Sequence, residues 1–143
     1  MKRIIRFFVA VVIVVFSIGF ILNQAQYTSF TDLVPEKELS KIDRMIIDRY
    51  SDDVRVSITD KDVIRKIIGD FSKMKLKKVD HTVGGNGLYA VRPYPSDVFG
   101  IELLEGNYVW IKTKYKSGFF EIVNDEIPFR SIEEEDLDWE SRR

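Results

Sequence analysis

The first 22 residues, MKRIIRFFVAVVIVVFSIGFIL, contain 17 apolar side chains, three cations and no acid. Between residues 7 and 22 only Ser17 and Gly19 interrupt the apolar run. As a helix this run is about 24 Å long, and about 28 Å if it starts at Ile4. A bilayer's hydrocarbon core is about 30 Å thick, so the segment spans it if Arg6 snorkels to the headgroups. Lys2, Arg3 and Arg6 precede the run and no cation follows before Lys37. Positive charge on that side alone predicts a cytoplasmic N-terminus and everything after the run outside. A cleaved signal peptide shares the same basic and apolar regions. Its cleavage needs small residues, and Ser17-Ile18-Gly19 offers them only inside the run, while Asn23-Gln24-Ala25 is poor at its first position. The expectation is a single-pass signal-anchor in the cell membrane, with secretion after cleavage as the alternative.

With 143 residues, the chain leaves room for one domain behind this segment. There is no cysteine and one histidine. Disulfide frameworks, thiol catalysis, lipidation of an N-terminal cysteine, Cys-ligated metals and multi-histidine metal sites are therefore excluded. The formal net charge of −1 gives no reason to expect nucleic acid. No cofactor motif is present.

Residues 23–40 are polar with scattered apolars and one proline, and read as a linker with a turn of helix after Pro35. The domain is placed at 41–143, with a chain beginning near Ser40 expected to fold alone. Its clearest element is a helix over 60–75, where Val63, Ile64, Ile67, Ile68, Phe71 and Met74 share one face. Thr59 is the expected N-cap, and Lys73, Lys75, Lys77 and Lys78 crowd the far end as the helix dipole favours. Val54, Val56 and Ile58 alternate with polar residues as a half-buried strand does. Residues 42–50 fit either helix or strand, and the Ser51-Asp52-Asp53 turn signal favours a hairpin with the strand that follows. Beyond the helix, strands are expected at 88–92, 98–104, 108–113 and 119–123, with Pro93 and Pro95 forcing a break or an edge. Ser131 and Glu134 have capping-box spacing for a short acidic helix over 131–140. The expected fold is α+β: an N-terminal transmembrane helix, then a small antiparallel sheet covered by one helix, in the order β-β-α-β-β-β-β.

The step Val56-Ser57-Ile58-Thr59-Asp60, the Ile-rich helix, the Lys-rich turn and the β-meander resemble small exported or membrane-anchored α+β domains of unknown function from Gram-positive bacteria. The likeness spans residues 42–123. It implies a fold and a location and carries no activity. The chain departs from the lipoprotein members in having no cysteine to lipidate.

Each candidate site also has a plainer role. His81 sits beside Asp80, but neighbours on an extended segment point apart and no nucleophile is marked, so a surface histidine is expected. The Gly84-Gly85-Asn86-Gly87 run lacks the Lys-Ser/Thr and the following helix of a phosphate loop, and reads as a turn. Asp52, Asp53, Asp60 and Asp62 lack the spacing of a calcium loop. Residues 133–136 with Asp138 and Glu140 read as a solvated acidic face. The lysine run could touch anionic lipid or wall polymer, its plainer role being helix-end charge and edge protection. Alternation assigns at least half of the strand aromatics to the core. Arg92-Pro93-Tyr94-Pro95 is the one stretch no element demands, and a rigid exposed loop presenting Arg92 and Tyr94 is the expected partner-binding spot.

These features predict a non-enzymatic, membrane-anchored extracytoplasmic module that binds an envelope protein or polymer. The alternative is an exported inhibitor or immunity-type protein neutralising one target. A hydrolase is disfavoured because no nucleophile–base pair or metal set is marked.

Overall fold

A computed structural model describes residues 1–142. Helix α1, Lys2–Gln24, is long and apolar enough to cross a membrane, and none of its apolar window is buried against the rest of the molecule. A core-helix role is thereby ruled out, since its Phe, Val and Ile side chains all stand exposed. The hydroxyl of Ser17 donates to the Ile13 carbonyl at 2.8 Å, which satisfies the one polar side chain in the apolar stretch.

The remainder is α+β, as the pattern of alternation and helical spacing predicts. Strands β1 (Tyr27–Ser29), β2 (Arg44–Arg49), β3 (Val54–Ile58), β4 (Lys75–Val79), β5 (Gly87–Tyr94), β6 (Phe99–Leu104), β7 (Tyr108–Thr113), β8 (Ser117–Ile122) and β9 (Glu140–Ser141) form one antiparallel sheet. Its spatial order is β1-β4-β8-β7-β6-β5-β2-β3-β9. Helices α2 (Phe30–Leu33), α3 (Glu36–Leu39), α4 (Lys61–Ser72) and α5 (Arg130–Glu134) accompany it. Residues 42–50 resolve as strand, paired with β3 through Met45–Ile58 and Ile47–Val56.

Helix α4 buries Ile64, Ile67 and Phe71 against Met45, Ile47, Val91, Ile101, Val109 and Ile111 of the sheet. Its cap is Asp60 rather than Thr59: the Asp60 carboxylate accepts from the N–H groups of Asp62 (2.8 Å) and Val63 (3.3 Å). The helix ends at Ser72, earlier than expected, because Leu76 must turn into the core as part of β4. Strands β1, β4 and β9 are additions to the expected strand order, and β4 holds most of the lysine run. It is not an edge, since β1 covers its outer side.

The stretch expected to be a linker belongs to the domain. Ser29 caps α2 in a reciprocal box with Asp32, and this turn drives Phe30 into the core with no exposed surface. The Phe30 ring meets Phe99 edge-on at 5.3 Å and Phe71 at 5.7 Å. Val34 and Leu39 are buried behind it. One turn of helix does follow Pro35, as α3.

At the C-terminus the helix is shorter than expected and its cap differs. Ser131 lies within α5, and its N–H donates to the buried Asp70 carboxylate of α4 at 2.7 Å. Asp70 thus satisfies a helix-end donor from a neighbouring helix, which sequence spacing cannot reveal. The chain then lays Trp139 under Arg49, 4.3 Å from its guanidinium carbon, and joins β3 as β9.

Candidate functional site

Strand alternation sends Val56, Met45, Ile47, Val91, Ile101, Val109, Ile111 and Phe120 to the face covered by helices. The opposite face carries a different set in register. One row runs Arg55–Asp48–Ala90–Glu102–Trp110–Phe119 across six strands. Beside it lie Ile46 opposite Arg92 and Gly100 opposite Lys112. The buried apolar residues that α2, α4 and α5 contribute all join the core on the first face, so the second face is bare of helices among the described residues, although neighbouring side chains bury Asp48 and Ala90 on it.

Arg92 and Tyr94 belong to it, though not as a loop. Both lie in β5, which pairs with β2 through Arg92–Ile46, Pro93–Met45 and Tyr94–Arg44. Pro93 is accommodated because the register with β6 ends at Val91. Tyr94 is held by the Arg44 guanidinium 4.2 Å from its ring centroid. Arg92 is fixed through an ion pair with Asp48.

Asp48 is the electrostatic centre of this face. It is 1% exposed, and its carboxylate is met by Arg92, by Arg55 at 2.6 Å and by Arg142 at 3.7 Å. Burial pushes its carboxyl up, but the Arg55 hydrogen bond and the charges of Arg92, Arg55 and Arg142 outweigh it. The net effect is a pKa below the ordinary 3.8. A carboxyl lowered on folding adds stability that is fully present above its unfolded pKa and is lost as pH falls through the folded one. We expect Asp48→Asn to cost about 2 kcal/mol at neutral pH, since three half-exposed guanidinia lose their common partner. Chemical denaturation from pH 7 down to below pH 3.8 checks this: the gap between wild type and variant should close at the acid end.

Between Arg92, Tyr94, Trp110 and Lys112 the bare face holds a hollow of about 620 Å³. Gly100 makes its floor: a Cβ built there meets nothing within 4 Å. Lys112 is exposed and has no carboxylate within 4.0 Å among the described residues. Ser96, Asp97 and Lys114 stand at the rim. The arrangement offers two aromatic walls, an unpaired ammonium and a pre-oriented guanidinium. It suits a flat or sugar-like group bearing an acid.

The other candidate residues are dispersed. His81 is exposed in the β4–β5 connection with no hydrogen bond or ion pair among the described residues. The glycine run packs against the β6–β7 turn, where the Glu105 N–H donates to the Asn86 carbonyl at 3.1 Å. A Cβ at Gly87 would lie 2.6 Å from the Tyr50 ring, so a larger residue there must push that ring aside. Asp52 is taken by Arg49 and Asp62 by Arg65, each at 2.7 Å. Glu135 pairs with Lys66, and Glu133 accepts from the Tyr89 hydroxyl at 3.2 Å. Sequence reasoning missed Asp48, Gly100, Trp110 and Lys112 as a group. The alternation that places them on one face is readable, but the register joining four strands is not.

No family model matches the chain, and neither a curated protein nor a solved structure is detectably similar to it.

Proposed function

We propose that this protein is a membrane-anchored extracytoplasmic module that binds an acidic envelope polymer without catalysis. The observation that carries the reading is the bare sheet face with its glycine-floored, cation-bearing hollow, set directly behind an apolar membrane-length helix. Helix α1 serves as a retained single-pass anchor with its basic end in the cytoplasm, which holds the sheet at the outer surface. Arg92 and Lys112 then meet acidic groups, and Tyr94 and Trp110 meet the flat faces between them.

Gly100→Phe tests this without disturbing the fold, because the added ring enters open space. The full-length protein in membranes should co-sediment with cell-wall material, and high salt should weaken the association. Gly100→Phe and Lys112→Glu should each weaken it about tenfold while leaving the melting temperature unchanged. Undiminished wall association in both folded variants contradicts the assignment. A single protein crosslinked at this face, with no wall association, favours the inhibitor reading instead.

A further inference from the structure

Only Ala25 and Gln26 separate α1 from β1, and both are tied down. The Ala25 N–H donates to the Ile21 carbonyl at 3.0 Å, and the Gln26 carbonyl accepts from the Lys78 N–H at 2.8 Å. The outer end of α1 is thus fastened to the sheet edge rather than hung from a flexible tether.

At this junction lies a second hollow, of about 600 Å³. Ala25, Gln26 and Tyr27 form one wall and the β7–β8 hairpin forms the other, over a floor that includes Leu33, Ile111 and Phe120. Two cations, Lys78 and Lys116, line it, and no acid does. Lys116 has no carboxylate within 4.0 Å among the described residues, and Lys78 is only loosely paired, 3.7 Å from Asp80. The hairpin tip is ordered: Thr113 Oγ1 accepts from the N–H groups of Tyr115 (3.3 Å) and Lys116 (3.1 Å). It presents Tyr115 outward at 84% exposure between Lys114 and Lys116.

We propose that this hollow seats the headgroup of an anionic phospholipid of the outer leaflet. Lys78 and Lys116 meet its phosphate and headgroup charge, and the apolar floor takes the start of its chains. Tyr115 settles at the interface, where an apolar ring with a polar tip is stable. The lipid is favoured as occupant because the walls include the residues that leave the bilayer, so the chain itself tethers the hollow within reach of the headgroups. The inference rests on α1 being a retained anchor.

The absence of native cysteine allows single-site labelling of the full-length chain. Tyr115→Cys, and Ser51→Cys in the β2–β3 turn at the opposite flank of the sheet, are labelled with an environment-sensitive fluorophore. Each is reconstituted into vesicles of phosphatidylcholine alone, or with about a third phosphatidylglycerol, carrying a headgroup-attached quencher. The label at 115 should be quenched at least about twofold more with phosphatidylglycerol present, while the label at 51 stays unquenched. Lys78→Gln with Lys116→Gln should return the quenching at 115 to its phosphatidylcholine value. A vesicle-bound protein whose label at 115 is as water-exposed as that at 51, or whose quenching ignores lipid charge and both lysines, overturns the headgroup seat. Failure of the protein to float with vesicles after carbonate treatment overturns the anchor itself.

Discussion

A chain beginning at Ser40 will fail to fold under conditions in which one beginning at Ala25 unfolds in a single cooperative transition. Removing residues 25–39 strips β1 from the outer side of β4 and takes Phe30, Val34 and Leu39 out of the core. Phe30 packs edge-on against both Phe71 and Phe99, and deleting such a ring costs about 3–5 kcal/mol in transfer and cavity terms. A small domain has about 5–15 kcal/mol in total, so the ring, its two companions and the strand together exceed what it can lose. Phe30→Ala in the longer chain isolates the ring's share. It should lower the melting temperature by well over 10 °C while the chain still folds. Circular dichroism during heating checks both, and a full cooperative transition in the Ser40 chain would contradict the packing described here.

Ile67→Asp will abolish the folded state outright. Ile67 has no exposed surface and sits at the centre of the α4 stripe, between Ile64 and Phe71. A carboxylate there lies among the apolar side chains of the core, so it must be buried unpaired or stay protonated, at a cost of several kcal/mol on top of the lost packing. Near-ultraviolet circular dichroism should lose its aromatic signal, and the protein should become sensitive to protease throughout. A substitution of similar size at Ser57, exposed on β3, should leave both readouts unchanged.

The elements readable from the chain are those whose signal is local and repeated. Helix α4 declares itself through three turns of apolar spacing, and β3, β6 and β7 through alternation that matches their pairing. Strand β1 does not, because three residues with polar neighbours carry no periodicity. Its reality rests on pairing with a strand almost fifty residues away. For the same reason Phe30 reads as one apolar residue in a polar stretch, although it anchors the core.

The candidate site divides along the same line. Arg92 and Tyr94 stood out because no element needed them, and both do line the hollow. The loop expected to carry them is a strand, since pairing on the β2 side alone tolerates Pro93. Asp48 was invisible as a site residue. Its arginines come from β3, β5 and the C-terminal segment, up to 94 positions away, and only tertiary structure unites them on one carboxylate.

The topology of the chain is tested most directly by a membrane-impermeant maleimide applied to intact cells expressing the Ser51→Cys protein. Because the native chain has no cysteine, every label on it reports position 51. Full labelling is expected before lysis, on a protein that stays with the membrane fraction after carbonate washing. Labelling only after lysis, or recovery of the protein in the carbonate supernatant, would contradict it.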